Sequence, residues 1–85
     1  MQLDHASAVQ CYGQSLELFK EIGDIRRQYT LLGNMALSLS KLNRYDEAEA
    51  AMREKFELAR DVDPAAAREA QTWLTVRHLL WDTRS

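Results

Sequence analysis

Apolar residues recur every three or four positions along almost the whole chain, which is the period of a helix with one apolar face. The first such stripe contains Ala8, Tyr12, Leu16 and Phe19. The chain has one proline and three glycines, and straight-chain helix formers dominate its composition. These patterns predict an all-α fold of four helices, at residues 4–20, 25–42, 45–60 and 64–81.

Short polar segments separate the predicted helices. Gly23 is placed to end the first helix in a left-handed conformation, and Asp24 is placed to cap the start of the second. Asp63 followed by Pro64 is typical of a helix start, because the missing N–H of proline costs nothing at the first helical position. Connections this short predict antiparallel neighbours, and with no linker in residues 1–85 we expect a single domain.

Each predicted helix has apolar residues that need burial. The second helix contributes Leu32, Met35, Ala36, Leu39 and Leu42, and the third contributes Ala48, Met52, Phe56 and Ala59. The fourth helix has one apolar face with Trp73, Val76 and Leu80, and a different one with Leu74 and Trp81. A helix with two apolar faces needs two partners.

Two side chains with reactive or charged groups receive structural interpretations. Cys11 lies on the apolar stripe of the first helix, so a buried, unreactive thiol is expected. Glu54 and Lys55 lie among the charges of the third helix, so we expect both on a solvated face.

The chain carries a weak internal repeat at an offset of forty residues. The matching pairs are Ala8 with Ala48, Tyr12 with Met52, Leu16 with Phe56, Leu18 with Leu58, and Ile22 with Val62. Such self-similarity is typical of repeat arrays, in which each unit buries its apolar face against its neighbours. It favours a binding or assembly module over an enzyme.

The segment Leu42-Asn43-Arg44-Tyr45-Asp46-Glu47-Ala48, followed by Met52, resembles the turn of the tetratricopeptide repeat (TPR). On that register the chain comprises half a repeat, one full repeat and another half, stacked as a short α-solenoid. Lys55 and Arg77 depart from the family pattern, since each replaces a small residue. Arg77 indicates that the fourth helix is a terminal cap, and an ordinary four-helix bundle is the alternative fold.

The resemblance implies a concave groove lined by the first helices of successive repeats. Carried onto this chain, that groove is lined by Thr30, Gly33, Asn34, Leu37, Lys41, Gln71, Leu74, Thr75, His78 and Trp81. We expect the partner-binding residues to be Asn34, Leu37, Lys41, Leu74, His78 and Trp81. The alternative for Trp81 is that it covers the end of its helix or packs on other residues.

Composition and charge exclude several classes of function. A net charge of −2 argues against a nucleic-acid-binding domain, and no stretch has the roughly 20 apolar residues that span a bilayer. One cysteine cannot form an internal disulfide, and no signal peptide is recognisable, so we expect a soluble, cytoplasmic protein. His5 and His78 are not spaced as metal ligands, and the chain has no glycine-rich phosphate loop.

Two functional hypotheses follow from these observations. The first is a protein–protein interaction module that binds a peptide or helix of a partner on its concave face, without catalysis and without a cofactor. The second is a structural module that forms a homodimer by burying its uncovered helix faces. The sequence favours the first.

Overall fold

The computed structural model describes residues 4–82, apart from the side chains of residues 78 and 80–82. This part of the chain folds into four helices: α1 (His5–Ile22), α2 (Ile25–Lys41), α3 (Tyr45–Ala59) and α4 (Pro64–Asp82). The all-α prediction is confirmed, and the predicted helix bounds differ from the observed ones by at most two residues. Over the same residues, none of the helices combines the length and the apolar content that crossing a bilayer requires.

The helices begin and end where the polar punctuation predicted. Gly23 adopts φ 75° after α1, a left-handed conformation that glycine tolerates without strain. At the start of α2, Asp24 accepts a hydrogen bond from the backbone N–H of Arg27 at 3.1 Å. Asp63 accepts one from the backbone N–H of Ala66 at 3.1 Å, at the start of α4. These local bonds satisfy donors that the first turn of a helix otherwise leaves unpaired.

The helices pack in the order in which they follow one another along the chain. Connections of two, three and four residues join them, so consecutive helices run antiparallel. Within the described residues, α1 packs on α2, α2 on α3 and α3 on α4, and no other pair packs extensively. A closed bundle would also pack its first helix on its last, so this arrangement is an open row of helical hairpins.

Small residues at the centre of the row bring the helices close together. Ala36 of α2 and Ala48 of α3 are completely buried, next to Leu32 and Met52, which are 1% and 4% exposed. Ala70 of α4 is also completely buried and belongs to the same cluster. The apolar faces that the sequence predicts for α2 and α3 therefore form the core.

The position of α1 at the end of the row corrects one prediction. Because α1 packs extensively on α2 alone, only one of its described residues, Leu16, is buried. Cys11, predicted to be a buried thiol, is exposed. The apolar stripe of α1 is wider than the surface that its one neighbour covers.

Candidate functional site

A groove of about 850 Å³ lies between α2 and α4, with α3 as its floor. We term it the α2–α4 groove. Its α2 side includes Thr30, Gly33, Asn34 and Leu37; its α4 side includes Arg68, Glu69, Thr72, Trp73 and Val76; and its floor includes Met52 and Lys55. The groove exists because α2 and α4 both pack on α3 but not extensively on each other.

The structure places two of the three predicted binding residues of α2 in the groove. Asn34 and Leu37 line the groove, and both are exposed. Lys41 is also exposed, one turn beyond Leu37, but it does not line the groove. The side chains of His78 and Trp81 lie outside the described residues, so their predicted roles stay predictions.

Three predicted groove residues of α4, namely Gln71, Leu74 and Thr75, do not line the α2–α4 groove. Leu74, with Gln71 and Thr75, lines a separate hollow of about 390 Å³ beside Phe56, on another flank of α4. Trp73 and Val76 line the α2–α4 groove instead. Adjacent helical residues point about 100° apart, so a one-residue shift in register moves a side chain to a different surface.

The groove-lining residues of α4 have a helical spacing that is visible in the sequence. Ala65, Arg68, Glu69, Thr72 and Val76 follow three-and-four spacing and all line the groove. Most of these are polar or small, so they form a helix face that is recognisable only by spacing. A search for apolar stripes overlooks it.

Lys55 lies at the floor of the groove and corrects a second prediction. It is 9% exposed rather than solvated. Its side chain crosses the backbone of α2 at Gly33, where an added Cβ would lie 3.0 Å from Nζ and 3.3 Å from Cδ. The absence of a side chain at Gly33 provides the space that this lysine occupies.

Within the described residues, Lys55 has an ion pair but no hydrogen bond. Its Nζ lies 3.6 Å from Oε1 of Glu69, beyond the usual limit of about 3.2 Å for an N–H···O bond. The Glu69 side chain is 75% exposed and forms no other ion pair within the described residues. The ammonium therefore faces the groove with donors that the protein leaves unused.

Tyr29 and Asp63 close one end of the groove. The buried Tyr29 hydroxyl donates to Oδ2 of Asp63 at 2.6 Å, which ties α2 to the first turn of α4. This bond is the main cause that lowers the pKa of Asp63 and raises the pKa of Tyr29. The backbone N–H of Ala66 contributes to the lowered pKa of Asp63. Both carboxylate oxygens of Asp63 are thus engaged inside the fold.

Most basic residues of the described part of the chain form ion pairs. Among the described residues, Lys20, Arg27, Arg44, Arg53, Lys55, Arg60 and Arg77 lie within 4.0 Å of a carboxylate. Arg26, Lys41 and Arg68 have no such partner within that part of the chain. All three belong to α2 or α4, but of these only Arg68 lines the groove.

Arg77 joins α4 to α3 on the flank away from this surface. Its Nε donates to Oε2 of Glu49 at 2.8 Å, and its guanidinium also bonds to the carbonyl oxygen of Leu74. The Glu49 carboxylate also accepts a hydrogen bond from Arg53, so it connects Arg53 of α3 with Arg77 of α4. The sequence departure at Arg77 thus contributes a cross-helix contact.

The chain matches no protein-family model, no curated protein and no solved structure in comparisons with known proteins. The geometry is therefore the basis for function. Over the described residues, no group of three or more His, Cys, Asp or Glu side chains is placed to hold a metal ion. The groove offers apolar contacts, hydrogen-bonding groups and cations, which are the elements of a binding surface.

Proposed function

We propose that this protein is an interaction module that binds a short segment of another protein in the α2–α4 groove. The observation that supports the proposal is the composition of the groove, whose exposed lining is more apolar than polar. Leu37 keeps 52% of its surface exposed on the groove side, while core leucines of the same helix are buried. Such a side chain gains burial only when a partner covers it.

The dimensions of the groove suit a peptide. Its α2 side extends from Tyr29 to Leu37 and its α4 side from Ala65 to Val76. At 1.5 Å per helical residue these sides measure about 12 Å and about 17 Å. An extended segment of about four or five residues covers that length, as does about three turns of helix.

The test uses a displayed library of random peptides, selected on the purified chain. Dissociation constants of the enriched peptides are then measured for the parent chain, for Leu37→Asp and for Leu18→Asp. Leu18 is a matched control, because it is 62% exposed, does not line the groove and, like Leu37, lies four residues before the end of its helix. The helical circular dichroism of each variant reports whether the fold is intact.

The proposal predicts that Leu37→Asp weakens peptide binding about tenfold or more, because it replaces an apolar contact with a charge that must lose its water. Leu18→Asp should change binding less than about twofold, as a distant surface substitution does. Equal sensitivity of the two variants, with both folded, would show that the enriched peptides bind elsewhere. Failure to enrich any peptide would count against the proposed function itself.

A specific surface favours self-association as the second candidate function. Ile22 is 70% exposed at the end of α1, Leu18 is 62% exposed one turn earlier, and Ile25 is 39% exposed at the start of α2. Light scattering from low to high micromolar concentration tests this candidate. A dimer that Ile22→Asp dissociates, and that Val62→Asp leaves intact, would support it. A monomer throughout that range would reject it.

A further inference from the structure

We infer that the segment bound in the α2–α4 groove carries an acidic side chain, glutamate or aspartate, at an interior position, and that the ammonium group of Lys55 binds it. This inference rests on the proposed function and adds the chemistry of the partner. Its structural basis is a lysine at the groove floor without a hydrogen-bond acceptor among the described residues, together with the unpaired Arg68 in the same lining.

The state of Lys55 supplies the first argument. An ammonium group has three N–H donors, and here its only ionic neighbour within the described residues is the Glu69 carboxylate, at 3.6 Å. The ammonium lines the open groove, so these donors are left to solvent or to a ligand. A carboxylate that enters the groove would supply both the charge and the acceptors. A charged hydrogen bond of this kind is among the stronger contacts a groove can offer.

The charges around the groove supply the second argument. Arg68 lines the groove, and it has no ion pair within the described residues. Arg26 lies close enough to Asp63 to contribute to the lowered pKa of that carboxyl group. The Asp63 carboxylate is already bonded to Tyr29 and Ala66, so the fold itself uses its acceptors. Lys55 and Arg68 therefore offer hydrogen-bond donors to a ligand, whereas the acceptors of Asp63 are already engaged.

The position of Lys55 indicates where the acid lies in the partner. Gly33, which Lys55 crosses, is midway along the α2 side between Tyr29 and Leu37. Glu69, its ionic neighbour, lies in the middle part of the α4 side. A segment that covers the whole groove therefore places an interior residue over the ammonium. A terminal carboxylate at this point would leave half of the groove unfilled.

The apolar lining indicates what surrounds the acid. Trp73 and Val76 lie on the α4 side beyond Glu69, and Leu37 lies opposite on α2. These side chains favour apolar residues on one side of the acidic position, because apolar contacts need matching surface. The inferred segment thus combines one interior acid with neighbouring apolar residues.

The test compares three displayed pools of random heptapeptides. The first pool has glutamate fixed at the central position, the second has glutamine there, and both have peptide bonds continuing at each end. The third pool is random with a free terminal carboxylate. We expect the parent chain to enrich the glutamate pool, and peptides from that pool to lose binding by about tenfold or more when their glutamate becomes glutamine. This comparison uses the unmodified protein, so it does not depend on the folding of a variant.

A double-mutant cycle then assigns the effect to Lys55. Lys55→Met keeps most of the side-chain volume and removes the charge, and Lys41→Met removes an exposed α2 charge outside the groove as a control. We expect Lys55→Met to weaken the glutamate peptide about tenfold and to leave its glutamine analogue nearly unchanged. Lys41→Met should weaken both peptides equally, by less than about twofold.

The outcomes separate this inference from the function on which it rests. Peptides that depend on Leu37 but bind equally well with glutamine would overturn the inference and leave the groove as a peptide site. Enrichment of the pool with the free terminal carboxylate alone would also overturn it, because the anion would then come from a chain end. If no pool yields a peptide that depends on Leu37, the proposed function fails, and the inference fails with it.

Discussion

Gly33→Ala offers a direct test of the way Lys55 crosses α2. Gly13 of α1 and Gly33 of α2 both lie in helix interiors, where glycine is less stable than alanine by about 1 kcal/mol. Nothing lies within 4 Å of a Cβ added at Gly13. A Cβ at Gly33 would instead lie 3.0 Å from Nζ and 3.3 Å from Cδ of Lys55. The same substitution therefore has a different expected result at the two sites.

The magnitudes follow from these distances. Gly13→Ala should stabilise the fold by about 1 kcal/mol, which raises the melting temperature of a domain this small by about 4–8 °C. Gly33→Ala gains the same helix propensity, but the Lys55 side chain must shift by a few tenths of an ångström, and displacement from a rotamer minimum costs about 0.5–1.5 kcal/mol. The two effects nearly cancel, so we expect a net change close to zero.

A second background isolates the contact. Lys55→Ala removes Nζ, Cε and Cδ, the atoms that an added Cβ at Gly33 would meet. In that background Gly33→Ala should recover the full gain of about 1 kcal/mol. Urea unfolding followed by circular dichroism measures the parent chain, the three single variants and the double variant, and the midpoint changes at constant slope give the free energies.

The refuting results are equally specific. If Gly33→Ala stabilises the parent chain as much as Gly13→Ala does, Lys55 does not lie against the α2 backbone. If the effect of Gly33→Ala is the same with Lys55 and with alanine at that position, the two residues are not coupled. Either result would also remove the structural basis for a lysine at the floor of the groove.

The remaining predictions concern the core, the Tyr29–Asp63 bond and Cys11. Leu32→Ala, at a residue 1% exposed, should cost about 2–5 kcal/mol and largely unfold a domain of this size, while Leu37→Ala should stay within about 0.5 kcal/mol in thermal unfolding. The lowered pKa of Asp63 means that its stabilising contribution is complete above about pH 5 and declines as the pH falls through its native pKa. The raised pKa of Tyr29 means that its contribution is lost only at alkaline pH. Tyr29→Phe should therefore reduce the loss of stability between neutral and acidic pH in urea unfolding, and an unchanged pH profile would contradict the role of this bond. Cys11 should react with a maleimide in the folded protein as fast as in urea, whereas strong protection would show that another surface covers α1.

Local sequence predicted the helices well because local chemistry determines their ends. Gly23 ends α1 because it adopts a positive φ cheaply, and Asp24 and Asp63 cap α2 and α4 through bonds to residues three positions away. None of these interactions requires knowledge of the rest of the fold. The buried alanines Ala36 and Ala48 were also predictable, since small residues at helical spacing indicate close packing.

The faces of the helices were less predictable, because neighbouring helices decide them. Cys11 lies on an apolar stripe, yet it is exposed because α1 packs extensively on only one helix. Trp73 and Leu74 are adjacent, and only the orientation of α4 on α3 decides that the first lines the groove and the second the other hollow.

The sequence by itself thus determined the four helices, their caps and their antiparallel order, because these depend on contacts between residues close together in the chain. Tertiary structure alone decided that α2, which has no side chain at Gly33, passes over Lys55 and buries most of this residue beside α4. That burial depends on the contact between Gly33 and Lys55, which lie more than twenty positions apart in the sequence. Only the packing of α2 on α3 brings these two residues together.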